Sequence, residues 1–208
     1  MRYTGPKFKL CRREWINLFG SAKYDVKHRR SAPGQHGANV ARLSEYGKLL
    51  RNKQVLKRIF CMSEKQFERL VTVVAAKYAK NKWIAHDLAV NQFLLTRLDA
   101  VVYYAGVAKT MMQARQMIVH CHFTLNGRKH NIPSTYMKVW DILKVRDKIK
   151  TSSLYQDNTA DKTRQVPVYL KLHKQDATIE LLDMPTSIFA WDEKLSDVLK
   201  VIEFYARA

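Results

Sequence analysis

The sequence predicts an α+β protein, mainly helical, with two short β-hairpins and a flexible basic N-terminal arm. Three observations carry this. Apolar residues recur at three- and four-residue spacing in several stretches between 44 and 120 and again near the C-terminus. Around Asn126-Gly127, and again between Val168 and Leu182, the pattern changes to strand-like segments bracketing a turn. The first forty residues instead combine many cations with few long apolar patterns, which suits an arm ordered by a partner. With 208 residues, 47% of them hydrophobic, the chain has enough apolar material for one or two domains.

Within the arm, Leu10 to Phe19 has a short helical pattern with Trp15, Leu18 and Phe19 on its apolar side, leaving Arg12 and Arg13 for phosphates. Ser31-Ala32-Pro33-Gly34-Gln35-His36-Gly37 is a turn: Pro followed by Gly favours type II geometry, and Gly37 permits a second close backbone approach. Gln35 and His36 are expected at its tip. Ser44 to Phe60 reads as a helix with Leu49, Leu50, Ile59 and Phe60 set among Lys48, Arg51, Lys53, Lys57 and Arg58, hence with a strongly basic face. Ser63 and Gln66 have capping-box spacing, and Phe67, Leu70, Val71, Val74 and Tyr78 continue a stripe expected in the core. Residues 81–86 read as a connector, and Asn91 as a cap on entry to the next helix.

Leu98, Val101, Val102 and Ala105 share a helical face that Gly106 is placed to end. Thr110 and Gln113 open a second helix as a capping-box pair, through Ala114, Met117 and Ile118 to His120. His122 to Leu125 then alternates polar and apolar before Asn126-Gly127, a dipeptide suited to the positive φ values of a two-residue hairpin turn, and Arg128 to Ile132 leads away. Lys109, Arg115, Arg128 and Lys129 can converge on one surface, which fits a phosphate backbone and equally an ordinary solvated face. Residues 147–165 are polar, beginning as a helix. Residues 168–172 and 178–182 form a second hairpin, ended by Met184-Pro185, and Leu195, Val198, Leu199, Ile202 and Tyr205 a final helix that can return to Phe67 and Val71.

The formal charge of +19 is local: residues 1–150 hold 30 of the 37 Lys and Arg but 9 of the 18 Asp and Glu. A basic face of this kind suits a polyanion, nucleic acid first and an anionic membrane second. No apolar run approaches the roughly 18 residues needed to span a bilayer, and Met1 to Lys7 lacks the features of a secretory signal. Cys11, Cys61 and Cys121 are too few and too dispersed for a disulfide framework, so free thiols in a reducing compartment are expected. The phosphate loop of nucleotide hydrolases, the His-Glu-x-x-His motif and the nucleophile elbow do not occur, and no enzyme is expected. His120, Cys121 and His122 would alternate faces on a strand and have no second ligand pair at suitable spacing, so no metal is expected either.

Arg97-Leu98-Asp99, Ala114-Arg115-Gln116, Val119-His120 and Leu125-Asn126-Gly127-Arg128 together resemble the small helix-hairpin RNA-binding module named after ribosomal protein four of the small subunit. The module also occurs in pseudouridine synthases, tyrosyl-tRNA synthetases and stress proteins. Outside it, Arg2-Tyr3-Thr4-Gly5-Pro6-Lys7, Leu10 to Glu14, Pro33 to Gly37, Leu43 to Gly47 and Val201 to Arg207 resemble the ribosomal protein four family itself, of bacterial type. The resemblance implies a module, residues 92–165, inserted into a helical domain formed by 43–91 and 166–208, behind an arm of residues 1–42. It implies a structural constituent of the small ribosomal subunit that binds small-subunit rRNA first, nucleates assembly of its 5′ domain and contributes to translational accuracy. The alternatives are a ribosome-associated stress RNA-binding protein and an RNA-modifying enzyme, the second disfavoured by the small neutral tail.

The expected RNA contacts are Arg2, Tyr3, Lys7, Lys9, Arg12 and Arg13 in the arm; Pro33, Gly34, Gln35, His36 and Gly37 in the turn; and Arg42, Tyr46, Arg51, Lys53, Lys57 and Arg58 along the first long helix. In the module they are Arg97, Lys109, Arg115, His120, Asn126, Gly127 and Arg128. Asp197, Lys200, Glu203 and Tyr205 are expected to face neighbouring ribosomal proteins, among them small-subunit protein five. No cofactor, membrane or small-molecule substrate is expected, and the location is cytoplasmic, in the ribosome, with an organellar ribosome as the alternative. Some relatives hold zinc through four cysteines in the arm. Here Cys11 matches one of them, Phe8 stands where its nearby partner would be, and no cysteine lies between Cys11 and Cys61.

Overall fold

The computed structural model describes residues 3–26, 31–39, 42–159, 165–173, 176–186 and 198–207. Arg2, Asp197 and Leu195 lie outside the described residues. The chain forms two compact units, one from residues 1–90 with 190–208, the other from residues 91–189.

In the first unit, α1 spans Lys7–Glu14. It ends where Trp15 turns left-handed at φ 59°, which leaves the indole 48% exposed rather than on the apolar side expected of it. Leu18 and Phe19 are buried beyond the helix, with Cys11. The Ser44 hydroxyl accepts the Gly47 N–H at 3.2 Å and so starts α2, Glu45–Ile59. Ser63 precedes α3, Glu64–Arg69, but its side chain makes no cap hydrogen bond, so that capping box is not formed. A π-helical stretch, Leu70–Ala75, then continues into α4, Ala76–Lys82. It buries Leu70, Val71 and Ala75 while turning Val73 outward. The last described helix, α10 (Val198–Arg207), packs on α2. It buries Val198, Val201 and Phe204, worth about 1.5–3 kcal/mol each, and leaves Leu199 exposed, so the apolar stripe lies partly off the expected one.

The helix α5, His86–Leu95, carries the chain into the second unit. Asn91 sits inside it and caps nothing at its start; Arg97 occupies the cap position of α6, Leu98–Tyr104, without a side-chain cap bond. Gly106, at φ 79°, follows that helix, and Thr110 opens α7, Met111–Val119, by accepting the Gln113 N–H at 3.1 Å. The Gln113 side chain returns to the Lys109 N–H at 2.6 Å, one residue earlier than in a standard capping box.

Strands β1 (Phe123–Leu125) and β2 (Arg128–His130) flank Asn126 and Gly127, both at positive φ, 48° and 80°. β3 is Ile142–Val145, followed by short helices α8 (Asp147–Lys150) and α9 (Ser153–Thr159), then β4 (Leu170–His173) and β5 (Thr178–Leu181). All five strands form one antiparallel sheet in the order β2-β1-β3-β5-β4. The β4–β5 hairpin therefore joins the second unit through β3, a departure from its expected place with the helical domain. An isolated hairpin is marginal in water, and β3 offers it a free edge. Phe123, Leu143, Val145, Ile179 and Leu181 bury one face of the sheet.

Candidate nucleic-acid interface

The arm spends one of its expected phosphate ligands on itself. Arg12 donates from Nε to Ser31 O at 3.0 Å, and from Nη2 to Ser31 Oγ and Ala32 O at 3.2 Å each. It thereby fixes the start of the Pro33–Gly37 turn. That turn closes through Ala32 N–H to Gly37 O at 3.1 Å and Gly37 N–H to Gly34 O at 3.2 Å. Gly34 adopts φ 112°, and a Cβ at Gly37 would stand 1.9 Å from Ala32 O, so both positions require glycine. Gln35 and His36 are exposed at the tip, as are Lys9 and Arg13 on α1 and Arg42 after the turn. Pro33 is half-buried. Tyr3 stacks on Phe19, with ring centroids 6.5 Å apart, and Lys7 sits over the same ring.

Along α2 the expected basic face divides. Lys53 is buried, donating to Glu64 Oε1 at 2.7 Å with its ammonium 4.2 Å from the centre of the Phe204 ring. Lys57 donates to Glu64 Oε2 at 2.6 Å, and the Tyr205 hydroxyl donates to Oε1 at 2.9 Å. These side chains tie α2, α3 and α10 together. Arg58 pairs with Glu14 at 3.4 Å, and Arg51 reaches the Arg13 carbonyl at 3.5 Å. Tyr46 is exposed, one side against Phe204.

Burial alone would raise the Glu64 carboxyl, but the hydrogen bonds from Lys53, Lys57 and Tyr205 outweigh it and hold the pKa at about 2, against an ordinary 4.5. A depressed folded-state pKa stabilises above the unfolded value and is lost as pH falls through the folded one. Thermal unfolding between pH 5 and 2 is therefore expected to show a falling midpoint that a Glu64→Gln variant follows less steeply. Parallel curves for the two proteins would remove Glu64 from the pH response.

In the second unit Arg97 is 3% exposed and Asp99 1%, and they form a two-point ion pair: Nε to Oδ1 at 3.0 Å and Nη2 to Oδ2 at 2.7 Å. Oδ1 also accepts the Ala100 N–H, and Arg115 Nη1 stands 3.9 Å from Oδ2. In this geometry Arg97 is a structural cation inside the module. Lys109 and His120 are exposed.

The hairpin turn is clamped rather than loose. The Asn126 amide donates to Asp141 Oδ1 at 2.9 Å and its carbonyl accepts the Ile142 N–H at 3.0 Å, so Asn126, Gly127, Arg128 and Lys129 are presented from a fixed base. On the open face, the register aligns Lys129, Thr124 and Lys144 across β2, β1 and β3, and continues to Thr178 and His173 on β5 and β4. Lys144 was not among the cations expected from sequence. Its signal was period-two alternation with buried Leu143 and Val145, but only the strand pairing sets it across Thr124 from Lys129 on the same face.

His120 and His122 have ring centroids 6.0 Å apart. Burial first, then the nearby His120 and Arg146 charges, push His122 down, favouring its neutral form. Among the described residues no group of three His, Cys, Asp or Glu side chains is gathered to hold a metal ion, and burial raises the Cys11 thiol. No described helix is long and apolar enough to cross a membrane. Of the expected protein-facing residues, Lys200 is exposed, Glu203 pairs with Arg207 one turn on, and Tyr205 turns its hydroxyl inward to Glu64.

Comparison with known proteins matches residues 2–94 to the ribosomal protein S4/S9 N-terminal domain and residues 96–137 to the S4 domain. The chain is 40% identical to small ribosomal subunit protein uS4 of Thermotoga petrophila, over 99% of both chains. It is 37% identical to that of Clostridioides difficile over 89% of this chain and 90% of the relative, and 35% identical to uS4A of Symbiobacterium thermophilum over 99% of both. With both family matches in sequence order and likeness running nearly end to end, the chain belongs to the small ribosomal subunit protein uS4 family.

Proposed function

We propose that this chain is a structural constituent of the small ribosomal subunit that binds its rRNA through phosphate contacts and shape. The carrying observation is the clamped Asn126-Gly127 turn, which fixes Arg128 next to it and sets Lys129 and Lys144 on either side of Thr124 on one open sheet face. A rigid row of cations meets a fixed spacing of phosphates with little ordering cost, and it recognises backbone rather than base sequence. The exposed Pro33–Gly37 tip and the cations Lys9, Arg13 and Arg42 supply a second set of contacts from the other unit. Residues 1–42 act as an arm completed by RNA, and the protein binds early in assembly of the 5′ domain. The tail, whose residues 151–208 carry 9 Asp and Glu against 7 Lys and Arg, faces a neighbouring basic ribosomal protein such as protein five, and through it affects decoding accuracy in a cytoplasmic ribosome.

Filter binding of the full chain to small-subunit rRNA between 50 and 200 mM salt tests this. Six to ten phosphate contacts lose about 10³–10⁵ in affinity over that range. Affinity independent of salt would sink a phosphate-borne role, and absence of the protein from isolated small subunits would sink the ribosomal one.

A further inference from the structure

The run from α3 through the π-helical stretch to α4 has an outward face that the proposed phosphate contacts do not use. Arg69, Val73, Lys77 and Lys80 are exposed along it, and Lys82 follows. No Asp or Glu occurs between Arg69 and Asp87. Among the described residues, ion pairs of this unit engage Lys48, Lys53, Lys57, Arg58 and Arg207.

Directly after α4 stands Trp83, 96% exposed. Its backbone is left-handed, φ 54° and ψ 39°, donating its N–H to Ala79 O to close the helix end. Glycine or asparagine occupies such a position at lower conformational cost, and a bulky side chain there is unusual. The indole is too exposed to serve the core of its own unit. An exposed aromatic plane that follows Lys77, Lys80 and Lys82 in the chain matches the chemistry of a nucleotide outside a duplex: the base stacks on the ring while cations neutralise the flanking phosphates. Burial in a lipid or protein interior would call for more apolar surface, and Val73 alone supplies it along this face, 56% exposed.

We propose that Trp83 is a stacking platform for an unpaired nucleotide of RNA, with Lys77, Lys80 and Lys82 holding the flanking phosphates. The site rests on the reading of this chain as an rRNA-binding protein and adds to it a contact with a base.

The experiment uses the full chain with small-subunit rRNA in a filter-binding assay, comparing wild type, Trp83→Ala, Trp83→Phe and the triple Lys77→Gln, Lys80→Gln, Lys82→Gln. Loss of one stacked base lowers affinity about tenfold. Trp83→Ala is expected to show that loss with an unchanged salt slope and an unchanged melting temperature, and Trp83→Phe to recover most of it. The lysine triple is expected to flatten the slope. Wild-type affinity in Trp83→Ala, on RNA that the wild type binds, overturns the proposal alone. Failure of the wild type to bind the RNA overturns the rRNA reading together with it. Two further arms name the rivals: Trp83-dependent binding to anionic phospholipid vesicles with no change on RNA, or a defect seen only when other small-subunit proteins are present. Either result replaces the nucleotide with a membrane or a protein partner.

Discussion

Asp99→Ala is expected to destabilise the module by about 3–5 kcal/mol, because it leaves the Arg97 guanidinium buried at 3% exposure with its two-point partner removed. The same substitution takes away the acceptor of the Ala100 N–H at the start of α6 and the carboxylate 3.9 Å from Arg115. Two nearby backbone hydrogen bonds, Leu98 N–H to Thr135 O at 2.9 Å and Met137 N–H to Thr96 O at 2.8 Å, hold this segment against residues 132–137, so the loss spreads beyond one helix. Hydrogen exchange of the β1 and β3 amides reads the effect locally, without assuming that the two units unfold together. Replacing both partners, Arg97→Met with Asp99→Leu, removes the stranded charge and is expected to restore much of the stability. A loss below about 1 kcal/mol in Asp99→Ala would mean that water reaches the guanidinium and that the pair is not a buried one.

Replacing Arg128, Lys129 and Lys144 with Gln is expected to lower rRNA affinity at every sequence tested and to reduce the slope of log K against log salt. Each phosphate that no longer meets a cation takes roughly 0.7–0.9 off that slope, so the triple change takes off roughly 2 to 3. All three side chains are exposed, and the Asn126 clamp on Asp141 and Ile142 remains, so folding should be unaffected. A slope equal to wild type would place the phosphates elsewhere, in the arm or along α2.

Several residues that act on their immediate neighbours were legible in the sequence, although the capping box expected of Ser63 and Gln66 does not form. Thr110 accepts the Gln113 N–H at the start of α7, Asn126 and Gly127 take the positive φ values a tight hairpin needs, and Ser44 starts α2. Each depends on a few adjacent residues, so each is visible in a short window. Charge was read less well. The sign of Lys53 and Arg97 was plain, but whether a cation meets solvent or a carboxylate depends on Glu64, eleven residues away, and on which way Asp99 turns. The partner of the β4–β5 hairpin was illegible for a related reason: strand alternation tells which face is apolar and not which edge will accept it. Trp15 shows the limit of periodicity itself, since its left-handed backbone takes it off the helical stripe one residue after α1 ends.

The seating of α10 on α2 also bears on how the protein is made. Val201 and Phe204 complete a core begun by Leu49, Leu56, Phe67 and Leu70, and the Tyr205 hydroxyl meets a glutamate 141 residues earlier in the chain. Translation must pass through the whole of residues 91–189 before those side chains exist. Until then, Lys53 lacks the Phe204 ring over its ammonium, and Leu49, Leu56, Phe67 and Leu70 lack the α10 side chains. That interval leaves greasy surface open to misassociation, the task that chaperones meet during synthesis, whereas the hairpin module has by then received all of its own strands.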